Sequence, residues 1–150
     1  MPAAPDRIHA TAVALGNAAV LIRGPSGSGK SDLALRCLAV PAIPLLGALP
    51  QLIADDQVLL TRSGSQLLAS APTSIRGKLE VRGLGIVDVE PADDVAVCLI
   101  ADLVTDPVER LPEPRSLTLF GVDVPHLQIA PFEQSAPLKL LLALARSARD

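Results

Sequence analysis

The octapeptide Gly24-Pro25-Ser26-Gly27-Ser28-Gly29-Lys30-Ser31 decides the fold. It satisfies G-x-x-x-x-G-K-[ST] at every fixed position. Its glycines let backbone N–H groups turn inward around an anion with no Cβ in the way. Lys30 then opens a helix and reaches the outer phosphates, while the Ser31 hydroxyl is placed for Mg²⁺. The helix N-terminus adds about half a positive charge at the same point. With Gly at about 7% and the other residues at ordinary usage, the pattern arises by accident in roughly half a percent of chains this long. Context supports it further. An apolar run over 18–22 leads into the loop, and 30–39 reads as a helix with Leu33, Ala34, Cys37 and Leu38 on one face. Asp32 and Arg36 stand four apart on the other face, and Pro41 stops the helix. The stretch from Gly24 to Ser31 therefore reads as a cradle for the polyphosphate of a nucleoside triphosphate.

Outward from this loop, residues 8–15 are apolar and β-tolerant, and Gly16-Asn17 is a turn signal, so 8–15 and 18–22 read as a strand pair. The proline-spaced stretch through Pro50 reads as an irregular connection. Leu52-Ile53-Ala54 is a brief strand ending in Asp55-Asp56, followed by a hairpin of 58–61 and 66–69 about Ser63-Gly64. Residues 73–85, rich in glycine and charge, read as a functional loop. The apolar run 95–101 is the expected central strand. Strands at 117–120 and 122–124 meet at Gly121, and 136–148 is helical, with Ser135 as cap and Pro137 in the first turn. Many short strands with two helices predict an α/β P-loop nucleotide-binding domain whose sheet is mixed and partly antiparallel. With no internal repeat, 1–150 reads as a single domain.

Composition narrows the function. The chain has 150 residues, 49% hydrophobic and 19% charged, so it can build a sizeable core. Phe120 and Phe132 are its only aromatic residues, and the net charge is −3. Of the usual equipment for nucleic acid, aromatic platforms are almost absent and a basic stripe is missing. The group Arg76, Lys78 and Arg82 suits a triphosphate rather than a duplex. Cys37 and Cys98 have no metal-ligand or disulfide spacing and read as buried thiols of a cytoplasmic protein. Residues 37–54 carry no charge, yet Pro41, Pro44, Gly47 and Pro50 break the stretch too often for a membrane helix, and no signal peptide precedes it.

A phosphate cradle alone does not say what becomes of the γ-phosphate. Transfer needs a metal ligand, a group that orients the acceptor, and positive charge. Three segments compete to supply these. Asp55-Asp56 closes a short strand beside the loop; adjacent strand residues face opposite ways, so one of the two is expected at the site. Glu80-Val81-Arg82-Gly83-Leu84-Gly85-Ile86 brings a carboxylate, a guanidinium and two glycines together. Asp102, closing the central apolar run, has the look of a Walker B aspartate.

These three segments, in this order, resemble the catalytic domain of HPr kinase/phosphorylase, the bacterial enzymes that phosphorylate a serine of the phosphocarrier protein HPr. The likeness runs from His9 to the last helix and is most specific over residues 80–86. A kinship with the P-loop of phosphoenolpyruvate carboxykinase comes with it. The resemblance implies ATP and Mg²⁺ as cofactors, with Ser31 and Glu80 on the metal. It implies Asp55 as proton acceptor from the substrate serine, and Lys30, His9 and Arg110 (in Val108-Glu109-Arg110-Leu111) as further catalytic residues. Asp102 then loses its metal role. Family members form hexamers, and the apolar last helix suits either a subunit contact or the core. Long members carry an N-terminal domain that this sequence, read as a short form, lacks. The family's phosphorylase loop bears arginine and glycine where Val124-Pro125-His126-Leu127-Gln128-Ile129-Ala130-Pro131 has neither, so the kinase direction is the stronger expectation. Two other readings stand beside it: a P-loop kinase or NTPase for a small molecule, and a nucleotide-sensing module without transfer.

Overall fold

The Gly16-Asn17 turn sets the middle of the sheet, because it folds two apolar strands back on each other. In the computed structural model, which describes residues 4–149, β2 (Thr11–Leu15) and β3 (Ala18–Arg23) form that hairpin, in register from Thr11↔Ile22 to Leu15↔Ala18. The ends of the expected 1–150 domain, residues 1–3 and 150, lie outside the described residues. The expected long first strand is divided at Ala10. β1 (Asp6–His9) leaves the hairpin to pair with β5 (Gln57–Ser63), and the Ala10 N–H donates to the Asp56 carbonyl instead of to a ladder.

The remaining strands are β4 (Pro50–Ala54), β6 (Gln66–Ser70), β7 (Lys78–Val81), β8 (Gly85–Asp88), β9 (Val95–Leu103), β10 (Arg115–Leu119) and β11 (Val122–Ile129). The helices are α1 (Lys30–Leu38) and α2 (Ala136–Arg149). The main sheet runs β1-β5-β6-β9-β3-β2-β4, with β11 added to β9 and β10 to β11. β3, β9 and β11 are mutually parallel neighbours and the other ladders are antiparallel. The sheet is mixed, as the strand-rich pattern predicts. The central apolar run is its hub: β3 lies along one edge of β9, while β6 and β11 share the other edge at opposite ends. Pro125 is tolerated because β11 pairs with β9 only from His126 onward.

Strand alternation separates two cores. Val20 and Ile22 face the helices and pack with Leu33 and Cys37 of α1 and Leu140, Leu141 and Leu144 of α2. Ala19 and Leu21 face the opposite side, against Ile53, Val58, Leu60 and Leu67. The apolar surplus of the last helix is thereby largely absorbed: Leu140, Leu141 and Leu144 are fully buried, and Leu138 stays exposed. No helix among the described residues is long and apolar enough to cross a membrane.

Candidate active site

β3 delivers the chain to the phosphate loop at the end of the parallel strands, where α/β sheets place their ligands. Gly27 and Gly29 take left-handed φ of 83° and 103°, which side chains resist, and Gly29 is the N-cap of α1. A Cβ on Gly24 would lie 2.5 Å from Ser28 Oγ and 3.3 Å from Leu103 Cβ, so the loop's course depends on the missing side chain. Lys30, 6% exposed, spans the loop: its Nζ donates to the carbonyls of Gly24 (2.7 Å) and Pro25 (3.1 Å). Ser28 Oγ is buried without a hydrogen-bond partner, a costly arrangement unless the pocket supplies one. The orphaned hydroxyl, the centred ammonium and a helix N-terminus fit a bound polyphosphate.

The carboxylates arrive by two routes. β4 pairs with β2 beside the loop, so Asp55, just past its end, reaches Ser31. Ser31 Oγ donates to Asp55 Oδ1 at 2.5 Å, Thr11 Oγ1 donates to the same oxygen at 3.2 Å, and the Glu80 N–H donates to Oδ2 at 3.1 Å. Asp55 is thus buried with both oxygens engaged. Asp56 departs from the expected alternation. Its φ is 71°, outside the strand region, and its N–H donates to Thr11 Oγ1 at 3.2 Å. The turn brings its exposed carboxylate to the cleft as well, where Oδ1 lies 2.7 Å from His9 Nε2. Both aspartates therefore attend the site.

The glycine-rich segment forms a hairpin of β7 and β8, not an irregular loop. Leu79 is fully buried in the helix-side core, which turns Glu80 outward to the cleft. The expected cation group disperses. Arg76 pairs with Asp93 and Lys78 with Asp88, leaving Arg82 of the three as the one that lines the cleft. Arg110 lies exposed on the connection between β9 and β10 and is not among the lining residues.

Asp102 is the penultimate residue of β9, held by Arg23 Nε and Nη2 (2.8 and 2.9 Å) and by His126 Nε2 (2.7 Å). Burial pushes its carboxyl up, but the Arg23 and His126 bonds outweigh burial and hold it below the usual carboxylate range. A carboxylate held by three hydrogen bonds acts as a clamp between β3, β9 and β11. Burial raises the Cys37 thiol to about 12, as fits an inert packing thiol, while Cys98, also raised by burial, is half-buried rather than buried as expected.

The cleft so built encloses about 500 Å³ between Ser26, Lys30, Asp56, Glu80, Arg82 and Phe132. Among the described residues no three His, Cys, Asp or Glu side chains form a metal cage. Ser31 and Glu80 instead offer a partial set, the kind Mg²⁺ completes with nucleotide phosphates and water. Sequence reasoning missed Thr11, whose hydroxyl bridges the two aspartates, and the cleft position of Phe132. Thr11 carried no motif signal; Phe132, one of two aromatics, did.

Fold and site together define an α/β domain of the P-loop type with a mixed sheet, in which Asp55, just past β4, and Glu80 of the β7–β8 hairpin meet the glycine-rich loop. The chain belongs to the family described as HPr Serine kinase C-terminal domain, whose model matches residues 3–145. It is 34% identical over 134 residues to the HPr kinase/phosphorylase of Chloroherpeton thalassium, covering 81% of this chain and 37% of that one. The HPr kinase/phosphorylase of Exiguobacterium sp. is 43% identical over 83 residues, 55% of this chain and 24% of that one. The chain thus spans about a quarter to two fifths of these relatives. Among solved structures, the HPr(Ser) kinase/phosphatase from Coxiella burnetii superposes with a TM-score of 0.76 at 28% identity, covering 96% of each chain.

Proposed function

We propose that the chain is an ATP- and Mg²⁺-dependent kinase that phosphorylates a serine of an HPr-type phosphocarrier. The observation that carries this reading is the convergence of Asp55, Asp56 and Glu80 on the Ser31 corner of the phosphate loop. A nucleotide sensor needs the loop but not a second, exposed carboxylate paired with a histidine.

Roles follow from the environments. Lys30 has three N–H donors and spends two on the loop, leaving one for a phosphate oxygen. Together with Arg82 it stabilises charge on the transferring group. Ser31 and Glu80 would hold Mg²⁺, which would supply neutralising charge to the phosphate oxygens. Asp55 orients Ser31 and the Glu80 backbone. The proton of the incoming serine hydroxyl goes to Asp56, held in place by His9; the engaged oxygens of Asp55 argue for this reassignment from the expected residue. A loose transition state asks little of such a base, since the proton leaves late. Arg110 enters through its loop, which leaves β9 at the phosphate-loop end of the sheet; Arg110→Ala is expected to lower kcat with nucleotide affinity unchanged. Phosphorolysis is the weaker direction, because the turn after β11 carries neither arginine nor glycine. A hexameric assembly belongs to the same reading, and light scattering tests it.

The decisive experiment combines purified chain, Mg-ATP and HPr, with mass spectrometry of the products. Phosphoserine on HPr supports the reading; label on a metabolite but not on HPr favours a small-molecule kinase, and no transfer at all favours a sensor. Asp56→Asn is expected to cut transfer about 10²- to 10⁴-fold while nucleotide still binds. Transfer that survives Asp56→Asn but vanishes in Asp55→Asn, with Mg-ATP binding unchanged, returns the base to Asp55.

A further inference from the structure

We infer that Phe132 is the stacking platform for the nucleobase, at the end of the cleft opposite the carboxylates; this rests on the reading of the cleft as a nucleotide site. The topology gives the cleft a direction. From β4, which ends at Asp55-Asp56, the sheet passes through β2, β3 and β9 to β11, and Phe132 lies three residues beyond the end of β11. Four strand spacings of about 4.8 Å separate β4 from β11, with β3, which feeds the phosphate loop, midway between them. A nucleotide held there with its terminal phosphate toward Asp56 and Glu80 must run its nucleoside the other way. That way leads to Phe132.

The side chain suits the task. It is 70% exposed in a chain with no Trp or Tyr and one other Phe, yet its backbone is pinned. Arg36 of α1 donates to the Pro131 carbonyl, and to that of Glu133 at 3.4 Å, while Glu133 is bridged to Lys139 at 2.5 Å. One edge of the ring abuts the phosphate loop: Cε1 and Cζ lie 3.0 Å from where a Cβ on Gly29 would stand. Leu35, one helical turn beyond Ser31 and 37% exposed, adds a second apolar group to the wall. An exposed aromatic fixed beside a polyphosphate cradle offers a π-face, and every base has one to match it. The platform is therefore tolerant of base identity.

Binding of ATP, GTP and inorganic tripolyphosphate to the full chain tests this by calorimetry. Phe132→Ala and Phe132→Leu are each expected to weaken ATP and GTP alike, about 10-fold, and to leave tripolyphosphate within twofold. Phe132→Trp restores nucleotide affinity and supplies the only tryptophan in the chain, with emission that responds to ATP but not to tripolyphosphate. Unchanged ATP affinity in both Phe132→Ala and Phe132→Leu overturns the inference. So does an equal loss for ATP and tripolyphosphate, which makes Phe132 a prop for Gly29. Failure of the unmodified chain to bind tripolyphosphate brings down the phosphate-loop reading itself.

Discussion

Replacing Asp102 by Asn separates a sheet clamp from a metal ligand. The carboxylate takes two bonds from Arg23, at 2.8 and 2.9 Å, and meets His126 Nε2 at 2.7 Å. Asn keeps one acceptor oxygen and turns an NH₂ toward groups that are themselves donors. Hydrogen bonds to charged groups contribute about 1.5–3 kcal/mol each. The Arg23 side chain is 34% exposed, so water recovers part of that loss. A net destabilisation of about 2–3 kcal/mol remains, which at this chain length lowers Tm by about 4–12 °C. Thermal denaturation followed by circular dichroism measures it, with ATP and Mg²⁺ titrations on the same samples showing no change. The pH dependence has a definite sign. Because the folded carboxyl lies below its ordinary value, its stabilisation is present above about pH 3.9 and fades as pH falls through the folded value. The gap in Tm between the two proteins therefore closes in acid. An unchanged Tm together with lost Mg²⁺ dependence would refute the clamp and make Asp102 a Walker B residue.

Gly24→Ala should weaken nucleotide binding at least 10-fold in a folded chain, since its Cβ would meet Ser28 Oγ at 2.5 Å; calorimetry beside circular dichroism checks both halves. Glu80→Gln should raise the Mg²⁺ concentration needed for half-maximal activity, and an unchanged requirement removes Glu80 from the metal. Cys37, raised to about 12 by burial, should resist iodoacetamide at pH 8 until the chain unfolds. It also contributes stability that is lost as pH rises from about 8.5 toward that value, a loss absent in Cys37→Ala.

The hairpin at Gly16-Asn17, the helix after Lys30 and the central run of β9 were legible in sequence because each is decided locally, by turn chemistry or hydrophobic period. What escaped was decided by distant partners. Ala10 looks like any strand residue, and only the Asp56 carbonyl, far along the chain, ends β1 there. Residues 73–85 read as loop from their glycines and charge, yet buried Leu79 anchors 78–88 as a hairpin. Arg76, Lys78 and Arg82 sit close in sequence, but Asp93 and Asp88 claim the first two. Spacing supplied the phosphate loop, and the family resemblance supplied Glu80. Neither reveals that Thr11 ties Asp55 to Asp56.

The left-handed backbone at Asp56 also determines which substitutions can be interpreted. Strand geometry would have sent the second aspartate to the far face; φ of 71° sends it to the cleft instead. Asp and Asn tolerate that region better than most residues, because a short polar side chain can bond locally, whereas other L-residues pay about 1–2 kcal/mol. Asp56→Asn therefore keeps the turn, the Asp56 N–H bond to Thr11 and hence the setting of Asp55, and removes only a charge. Asp56→Ala removes the charge and strains the turn, so it should lower Tm by about 2–8 °C as well. If Asp56 is the proton acceptor, both variants lose transfer to a similar degree while their stabilities differ. Should activity instead follow stability across the pair, with Asp56→Asn retaining transfer, Asp56 acts through the backbone it shapes and the chemistry belongs to another group.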